Sequence, residues 1–599
     1  MTESTTTTTP SAEATNATET VTSPLDHVDA FIPRVMAAMQ VPGMSVSVHR
    51  DGKPLLHKAY GVRTYALPLD DPANELKTSS MFDLCSVTKH FTSAAIGVLV
   101  HQGKLNWTDK VTQHLPEFAL PDELATRECT ITDILSHRSG IEGGDLLWFG
   151  STRNGNAAYK LLDAIPQMKM AGRFRDAYYY SNNMYSVATV LVERVSGVAY
   201  PDFVTEHLLD PLGITAIWCS DEAREHPEVA QPHDSDDLFV SLPTFLDRHV
   251  WNKEIDFEAL KAMDPPTTVD EGLERAAAVR RHVVPIRSFS EDNRDSAGAG
   301  FLFTSTDDMA KWTACLLNGG KSPSGQQVIY DLDVLTKVHN PVLYSSTPTA
   351  PGSTMRVLGY GLGLKMFQHG EYEVIAHTGG MPGYAIYMFV IPGANLSMYI
   401  AQHQSHCSVA PGLVSLILEA LLPLHRPDAA HATLLSVASN LAKSKLGPLP
   451  YMVPEMAQMF GTAPPAATAT QLLPQGVAIE DLAGVYKHPA FGYVTIVLDD
   501  LATSPLAPRL RYISAPGTMK DMYLPLVARE SKSKGEVQCV LWPDTTAVFR
   551  PSQQQQEVEP MKAAPAAMRV TGRAWTPRVR YELALGDDVS SAPVYVRVD

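Results

Sequence analysis

A serine and a lysine stand three residues apart at the start of an apolar segment, in the stretch Ser86-Val87-Thr88-Lys89. At this spacing both side chains lie on one face of a helix, so the amine can take the proton of the hydroxyl. Ser86 is therefore a candidate acylation nucleophile with Lys89 as its base, although a lone serine here could equally be a helix N-cap. Ser531 and Lys534 have the same spacing, but their charged neighbours indicate a surface loop.

Two further motifs follow in the chain. Tyr180-Ser181-Asn182 comes directly before a segment with helical periodicity, and His377-Thr378-Gly379-Gly380 comes at the end of a strand-like segment. Each has a structural alternative, since tyrosines in a run are often packing residues and a lone histidine is often a hydrogen-bonded core residue. Together, the order and context of the three motifs favour a catalytic arrangement.

This order resembles the penicillin-recognising serine hydrolases, which include class C β-lactamases, D-alanyl-D-alanine carboxypeptidases, D-aminopeptidases, esterases and acyltransferases. The resemblance covers about residues 27–410 and extends to further landmarks: Val41–Val48, Ile131–Gly140, Ser305–Asp308 and Tyr360–Gly363.

The resemblance implies the following roles. Ser86 would attack a carbonyl carbon, Lys89 would act as its base, and Tyr180 would be a second proton-transfer residue. Asn182 would hold Lys89 or the substrate amide, and His377, Thr378 and Gly379 would line the substrate site. The backbone N–H groups of Ser86 and Gly380 would donate to the oxyanion. No cofactor and no metal are expected, and His137 is expected to pack within a loop rather than do chemistry.

His377 departs from the family pattern. β-Lactamases and carboxypeptidases of the family carry a lysine at this position, whose charge faces the carboxylate of the substrate. A histidine is mostly neutral at pH 7, so we expect weaker carboxylate recognition. The expected substrate is a small ester or amide, including D-amino-acid peptides, that lacks this carboxylate.

The order of the helix-like and strand-like segments around these motifs predicts a mixed α/β (α+β) fold. We expect a β-lactamase-like antiparallel sheet flanked by helices, with a mostly helical lobe and a small C-terminal antiparallel β-barrel. The sheet would contain a hairpin over 44–60 and strands at 357–367, 372–377, 384–391 and 396–402, with a helix near 409–423 after it.

The predicted domains follow from changes in composition. Residues 1–24 form a disordered tail and 25–424 the hydrolase domain, in which the acidic, proline-interrupted segment 221–295 is an insertion beside the site. An alanine- and proline-rich linker covers 425–475. The short strand-like runs of 476–599 are similar to the lipocalin-like C-terminal domains of some family members.

Composition limits the function classes. The chain has 599 residues and a formal net charge of −17 without a basic cluster, which disfavours a nucleic-acid partner. Neither a membrane-spanning segment nor a signal peptide is recognised, and the six scattered cysteines fit reduced thiols, so a cytoplasmic location is expected. The expected partner is a small ester or amide substrate, and a homo-oligomer is left open.

Three functions remain open from the sequence. The first is a hydrolase that passes the acyl group from Ser86 to water. The second is an acyltransferase of natural-product metabolism that passes it to an alcohol or amine. The third is a non-catalytic scaffold that kept the fold, which intact Ser86, Lys89 and Tyr180 disfavour.

Overall fold

The computed structural model describes the chain in separate ranges. These are residues 23–143, 161–218, 220–235, 248, 252–256, 259, 264–286, 296–341, 355–405, 409–424 and 429–445, and the strands of the C-terminal region. The predicted tail 1–24 therefore lies almost wholly outside the described residues, as do parts of the predicted insertion and linker.

The helices and strands of the hydrolase domain have the following bounds. The helices are α1 Asp26–Met39, α2 Thr88–His101, α3 Val111–His114, α4 Glu123–Glu128, α5 Ile131–Leu135, α6 Leu161–Ala164, α7 Asn182–Ser196, α8 Tyr200–Val204, α9 Ser220–Glu225, α10 Val269–Ala278, α11 Thr306–Leu317, α12 Leu332–Thr336, α13 Val409–Leu421 and α14 Ala429–Lys445. The strands are β1 Gly43–Arg50, β2 Lys53–Gly61, β3 Met81–Asp83, β4 His233–Ser235, β5 Val283–Pro285, β6 Phe303–Ser305, β7 Met355–Tyr360, β8 Lys365–His369, β9 Tyr372–Met381, β10 Tyr384–Ile391 and β11 Leu396–Gln402.

Seven of these strands form one antiparallel sheet in the order β2-β1-β11-β10-β9-β8-β7. Alternate residues of its strands face opposite sides and enter two separate cores. Ile375 and Met388 belong to the core shared with the helical lobe, which contains α2, α7 and α11. Ala376 and Phe389 belong to the core beneath α1 and α13. The predicted antiparallel sheet with flanking helices and a helical lobe is confirmed.

The elements match most of the predicted boundaries. The 44–60 hairpin is present as β1 and β2, and the helix predicted near 409–423 is α13. The single strand predicted over 357–367 is wrong, because β7 and β8 are two strands joined by a tight turn. Gly363 in that turn has φ 74, a left-handed conformation that only glycine adopts without strain.

The structure also differs from the linker prediction at its start. Residues 429–445 form α14, which packs against α1, α10 and α13. Alanines favour helix as strongly as they suggest a flexible connection, and packing against apolar partners decides between the two.

The C-terminal region contains eight further strands that pair into a closed antiparallel order. They are β12 Gly484–His488, β13 Gly492–Leu498, β14 Leu510–Ser514, β15 Leu524–Arg529, β16 Val537–Leu541, β17 Thr545–Pro551, β18 Tyr581–Gly586 and β19 Val594–Arg597, with β19 pairing back onto β12. The strand-like runs predicted from the sequence, at 484–486, 493–498, 510–513, 522–527, 537–542 and 579–583, include neither β17 nor β19. The likeness of this region to lipocalins remains a prediction.

The described part of the insertion contains most of α9, the helix α10 and the pair of strands β4 and β5. β4 lies beside the end of the main sheet, where His233 bridges to Gln404. Across the described ranges, no helix is both long and apolar enough to cross a membrane.

Candidate active site

Ser86 lies in a 3-10 turn, Cys85–Val87, that leads directly into α2. Lys89 is in the first turn of this helix, and its Nζ lies 3.1 Å from Oγ of Ser86. This is hydrogen-bond distance, the separation that proton transfer between the two groups needs. The structure thus brings together the pair that the sequence predicted.

Lys89 is fully buried, although a lysine is rarely so. Its Nζ donates to the backbone carbonyl of Ala299 at 2.7 Å, which holds the amine in place beside the serine. The same nitrogen lies 4.9 Å from the centre of the Tyr180 ring and 5.4 Å from that of Tyr185. The face of Tyr180 therefore forms one wall of the lysine pocket.

A cluster of aromatic rings surrounds this pocket, with His137 at its centre. The His137 ring lies 4.4 Å from the Tyr180 ring and 4.8 Å from the Tyr360 ring, measured between centres. Its Nδ1 accepts from the backbone N–H of Ser181 at 3.1 Å. His137 therefore holds the strand-like entry to α7 and positions Tyr180, a more specific role than the loop packing expected from sequence.

His137 is neutral in this setting. Burial lowers its pKa well below the usual value, and Lys89 and Lys365 lower it further whenever they carry a proton. Because Nδ1 accepts a hydrogen bond, the proton is assigned to Nε2.

Asn182 is the first residue of α7 and is buried beneath the entry to the helix. It lies two residues after Tyr180, so both belong to the entry of this helix. The role expected for its amide remains a prediction.

His377 lies on β9 and is also buried. Its Nδ1 is 2.7 Å from the carbonyl oxygen of Thr378, which can only accept, so Nδ1 carries the proton and Nε2 accepts from the Tyr360 hydroxyl at 2.9 Å. Burial lowers the pKa of His377 well below the usual value, and the nearby ammonium of Lys365 lowers it further. Both ring nitrogens are thus engaged, and the ring is neutral.

The two glycines after Thr378 determine how closely β9 approaches the serine. A Cβ on Gly379 would lie 2.4 Å from the carbonyl oxygen of Leu84 and 2.9 Å from Cβ of Cys85, so only glycine fits there. Gly380 is exposed, and a Cβ on it would meet no atom within 4 Å. This packing brings the Gly380 end of β9 beside the turn that carries Ser86.

Asp83 supports the same turn from behind. Its carboxylate accepts hydrogen bonds from the backbone N–H of Cys85 at 2.7 Å and from the backbone N–H of Phe301. Phe301 comes two residues after Ala299, whose carbonyl accepts from Lys89. Both donors have left-handed backbones, with φ 50 at Cys85 and φ 69 at Phe301. Such strain in non-glycine residues is typical of functional sites.

Comparison with known proteins places the chain in a family. The family model described as Beta-lactamase matches residues 28–420. The chain belongs to the beta-lactamase family. It is thus a serine hydrolase of the beta-lactamase type, and every site residue described above falls within the matched range.

Individual relatives of this beta-lactamase family protein are distant. "Unguisins hydrolase ungD'" of Aspergillus campestris is 26% identical over 81% of this chain and 80% of that protein. "Protein flp" of Staphylococcus aureus (strain MW2) is 25% identical over 36% of this chain and 43% of that protein. The structure of an octameric penicillin-binding protein homologue from Pyrococcus abyssi is similar with a TM-score of 0.46 and 17% identity, covering 88% of this chain and 96% of that one.

Three groups of this beta-lactamase site were missed from the sequence. They are the carboxylate of Asp83, the carbonyl of Ala299 and the ammonium of Lys365, whose Nζ donates to Oγ1 of Thr378 at 3.3 Å. The available signals were two charged residues in apolar segments, Asp83 in Met81–Cys85 and Lys365 in the segment 357–367.

Proposed function

We propose that this protein forms an acyl-enzyme on Ser86 and cleaves a small ester or amide, including D-amino-acid peptides. The observation that carries the proposal is the 3.1 Å separation between Nζ of Lys89 and Oγ of Ser86 inside a buried pocket. Burial disfavours the charged form of an amine, and a neutral amine can accept the hydroxyl proton.

In the acylation step, Ser86 Oγ forms a bond to the carbonyl carbon while its proton passes to Lys89. The bond to the leaving alcohol or amine then breaks, and Tyr180 returns a proton to the leaving group. Water repeats the sequence in reverse and releases the acid. The backbone N–H groups of Ser86 and Gly380 are the proposed oxyanion donors.

Transfer of the acyl group to an alcohol or amine is the second candidate. It would use the same acyl-enzyme, so the same residues support it. The relative named an unguisins hydrolase favours water as the acceptor.

A non-catalytic scaffold would have no use for a buried lysine held between a carbonyl and a serine hydroxyl. A cytoplasmic location and a homo-oligomer remain predictions.

Labelling with a fluorophosphonate, followed by intact mass and peptide mapping, tests the proposal. We expect one adduct on Ser86, no adduct in Ser86→Ala, and labelling at least about a hundredfold slower in Lys89→Met. Ser531→Ala is the matched control because it removes the other serine of this spacing, and it should label normally. A folded wild-type protein that takes no adduct would overturn the proposal.

Hydrolysis and acyl transfer are distinguished by products. p-Nitrophenyl esters and D-amino-acid amides are incubated with and without an added alcohol or amine, and the products are identified by mass. Free acid alone supports hydrolysis, whereas a transfer product that dominates at low acceptor concentration supports the second candidate.

A further inference from the structure

The segment that leads to Tyr180 is anchored five residues before it, at Arg175. Nε of Arg175 donates to Oδ1 of Asp133 at 2.9 Å, and Nη2 donates to Oδ2 at 2.6 Å. Two parallel bonds between a guanidinium and a carboxylate fix the orientation of the two groups as well as their distance. Because Asp133 lies on α5, the ion pair ties the segment before Tyr180 to a helix residue 42 positions earlier in the chain.

Asp133 is a rigid anchor for this contact. Its side chain is 2% exposed, and Oδ2 also accepts from the backbone N–H and the hydroxyl of Thr130, at 3.0 Å and 2.7 Å. Its neighbour Ile134 belongs to the core of the helical lobe, which holds α5 in place. A second arginine, Arg138, lies 4.0 Å from the carboxylate, beyond hydrogen-bond distance. A buried carboxylate is costly unless it is paired, so Asp133 holds the guanidinium of Arg175 close.

The backbone at Arg175 is strained and depends on such contacts. Its φ is 62, a left-handed conformation that costs a non-glycine residue about 1–3 kcal/mol. Its N–H donates to the carbonyl of Arg138 at 2.9 Å, and four residues later the N–H of Tyr179 donates to the carbonyl of His137 at 3.1 Å. The segment thus follows the loop at 137–140 from Arg175 to Tyr180. The ion pair is the side-chain contact that offsets the strain where this path begins.

We propose that Arg175, through its ion pair with Asp133, is a positioning residue that holds Tyr180 within reach of the leaving group. The inference rests on the proposed function, in which Tyr180 returns a proton to the leaving alcohol or amine. Arg175 acts through the backbone of the segment. The Tyr180 ring lies 4.9 Å from Nζ of Lys89, so a shift of the segment moves the hydroxyl relative to the lysine and to the leaving group. A displacement of about 1 Å at such a group can cost about a hundredfold in rate.

A leaving-group series measures this positioning without a known substrate. Aryl phosphonates that differ only in the phenol, from p-nitrophenol to unsubstituted phenol, react with the full-length protein, and adduct formation is followed by intact mass. Ser86 Oγ forms a bond to phosphorus, the bond from phosphorus to the phenol oxygen breaks, and the serine proton passes through Lys89 and Tyr180 to that oxygen. The phenolate of p-nitrophenol leaves readily without this proton, whereas unsubstituted phenolate is a stronger base and needs it.

In wild type we expect the rate to depend only weakly on the basicity of the phenol. In Arg175→Met, and in Tyr180→Phe as the reference, the rate with unsubstituted phenol should fall at least about tenfold more than the rate with p-nitrophenol. Arg175→Lys keeps the charge but loses the second bond, so it should lie between wild type and Arg175→Met. Arg194→Met is the matched control, because it removes a 48% exposed arginine on α7 that pairs with Glu117, and it should behave as wild type.

An equal loss of rate across the phenols in Arg175→Met would overturn the inference, because a general effect on the fold slows all of them alike. A steep dependence already in wild type, or no reaction beyond the p-nitrophenyl member, would overturn it too, since no proton would then be delivered. If Arg175→Met does not fold, Arg175→Lys decides, and a dependence equal to that of wild type contradicts the inference. Failure of the fluorophosphonate to label Ser86 would instead overturn the proposed function.

Discussion

Asp83 is the buried residue whose ionisation bears most directly on the site. Burial raises its pKa to about 7. The backbone hydrogen bonds from Cys85 and Phe301 favour the charged form and lower the pKa, but their effect is smaller than that of burial. Its Oδ1 accepts from Cys85, and its Oδ2 has no hydrogen-bond partner among the described residues, which suits an oxygen that carries a proton. Ionisation of Asp83 therefore adds an unneutralised charge behind the nucleophile.

The stability of the protein should depend on this group. The folded-state pKa lies above the unfolded value of 3.8, so between about 4 and about 7 the folded state holds a proton that the unfolded state has lost. The stability contribution is fully present below the lower value and is lost as pH rises through the higher one. Asp83→Asn keeps an acceptor oxygen but cannot ionise.

We expect the unfolding free energy of wild type to fall relative to Asp83→Asn as pH rises through this window, by up to about 4 kcal/mol. Urea unfolding of both proteins from about pH 4 to about pH 8 measures the difference. Parallel pH profiles would show that Asp83 ionises as freely in the folded protein as in the unfolded chain.

The approach of β9 to the turn before α2 is the contact between elements that creates the site. It depends on the absence of a side chain at Gly379, because the backbone of Leu84 occupies that space. The register of β9 with β10, in which Gly379 faces Ile386, leaves the strand no freedom to slip by one residue. The strand and the serine turn are therefore positioned as one unit.

Gly379→Ala should destabilise the protein by about 1–3 kcal/mol and slow the labelling of Ser86, since the strand must move away. Gly380→Ala is the matched control on the same strand, because its methyl meets no atom within 4 Å. It should change stability by less than about 0.5 kcal/mol. Similar unfolding free energies for the two variants would contradict the close approach.

Beyond the site, α14 joins helices that are far apart in the chain. Lys445, at the end of α14, is buried, and its Nζ donates to the carbonyls of Ala38 at 2.8 Å and Ala276 at 3.1 Å. These carbonyls lie near the C-terminal ends of α1 and α10, where the helix dipoles favour a cation. Residues 429–445, which the sequence analysis assigned to a linker, thus form a helix that packs against α1, α10 and α13.

Lys445→Ala should cost about 1–3 kcal/mol of unfolding free energy, since the buried carbonyls of Ala38 and Ala276 both lose their hydrogen bond to the ammonium, although Ala276 keeps the one from the Val279 N–H. Lys58→Ala is the control, because it removes an ion pair between Lys58 and Asp29 of α1. The side chain of Lys58 is 53% exposed. That control should cost less than about 1 kcal/mol. If thermal unfolding shifts equally in both variants, α14 does not contribute as proposed.

The sequence alone determined the features that depend on local spacing. Ser86 and Lys89 are one helical turn apart, and Gly379 and Gly380 are neighbours on β9. The relative positions within each pair therefore follow from the geometry of the backbone. The hairpin of β1 and β2 and most strands of the C-terminal region follow from the same alternation of apolar residues and turns.

Tertiary structure decided the contacts between distant segments. The carbonyl of Ala299 reaches Lys89 across 210 residues of chain, and His137 and Lys365 join the site only after several elements have packed. Burial, pKa and charge neutralisation depend on every neighbour of a group, and neighbours so distant in sequence leave no local pattern. For this reason the sequence predicted the nucleophile, while only the fold showed the contact of Lys365 with Thr378 beside it.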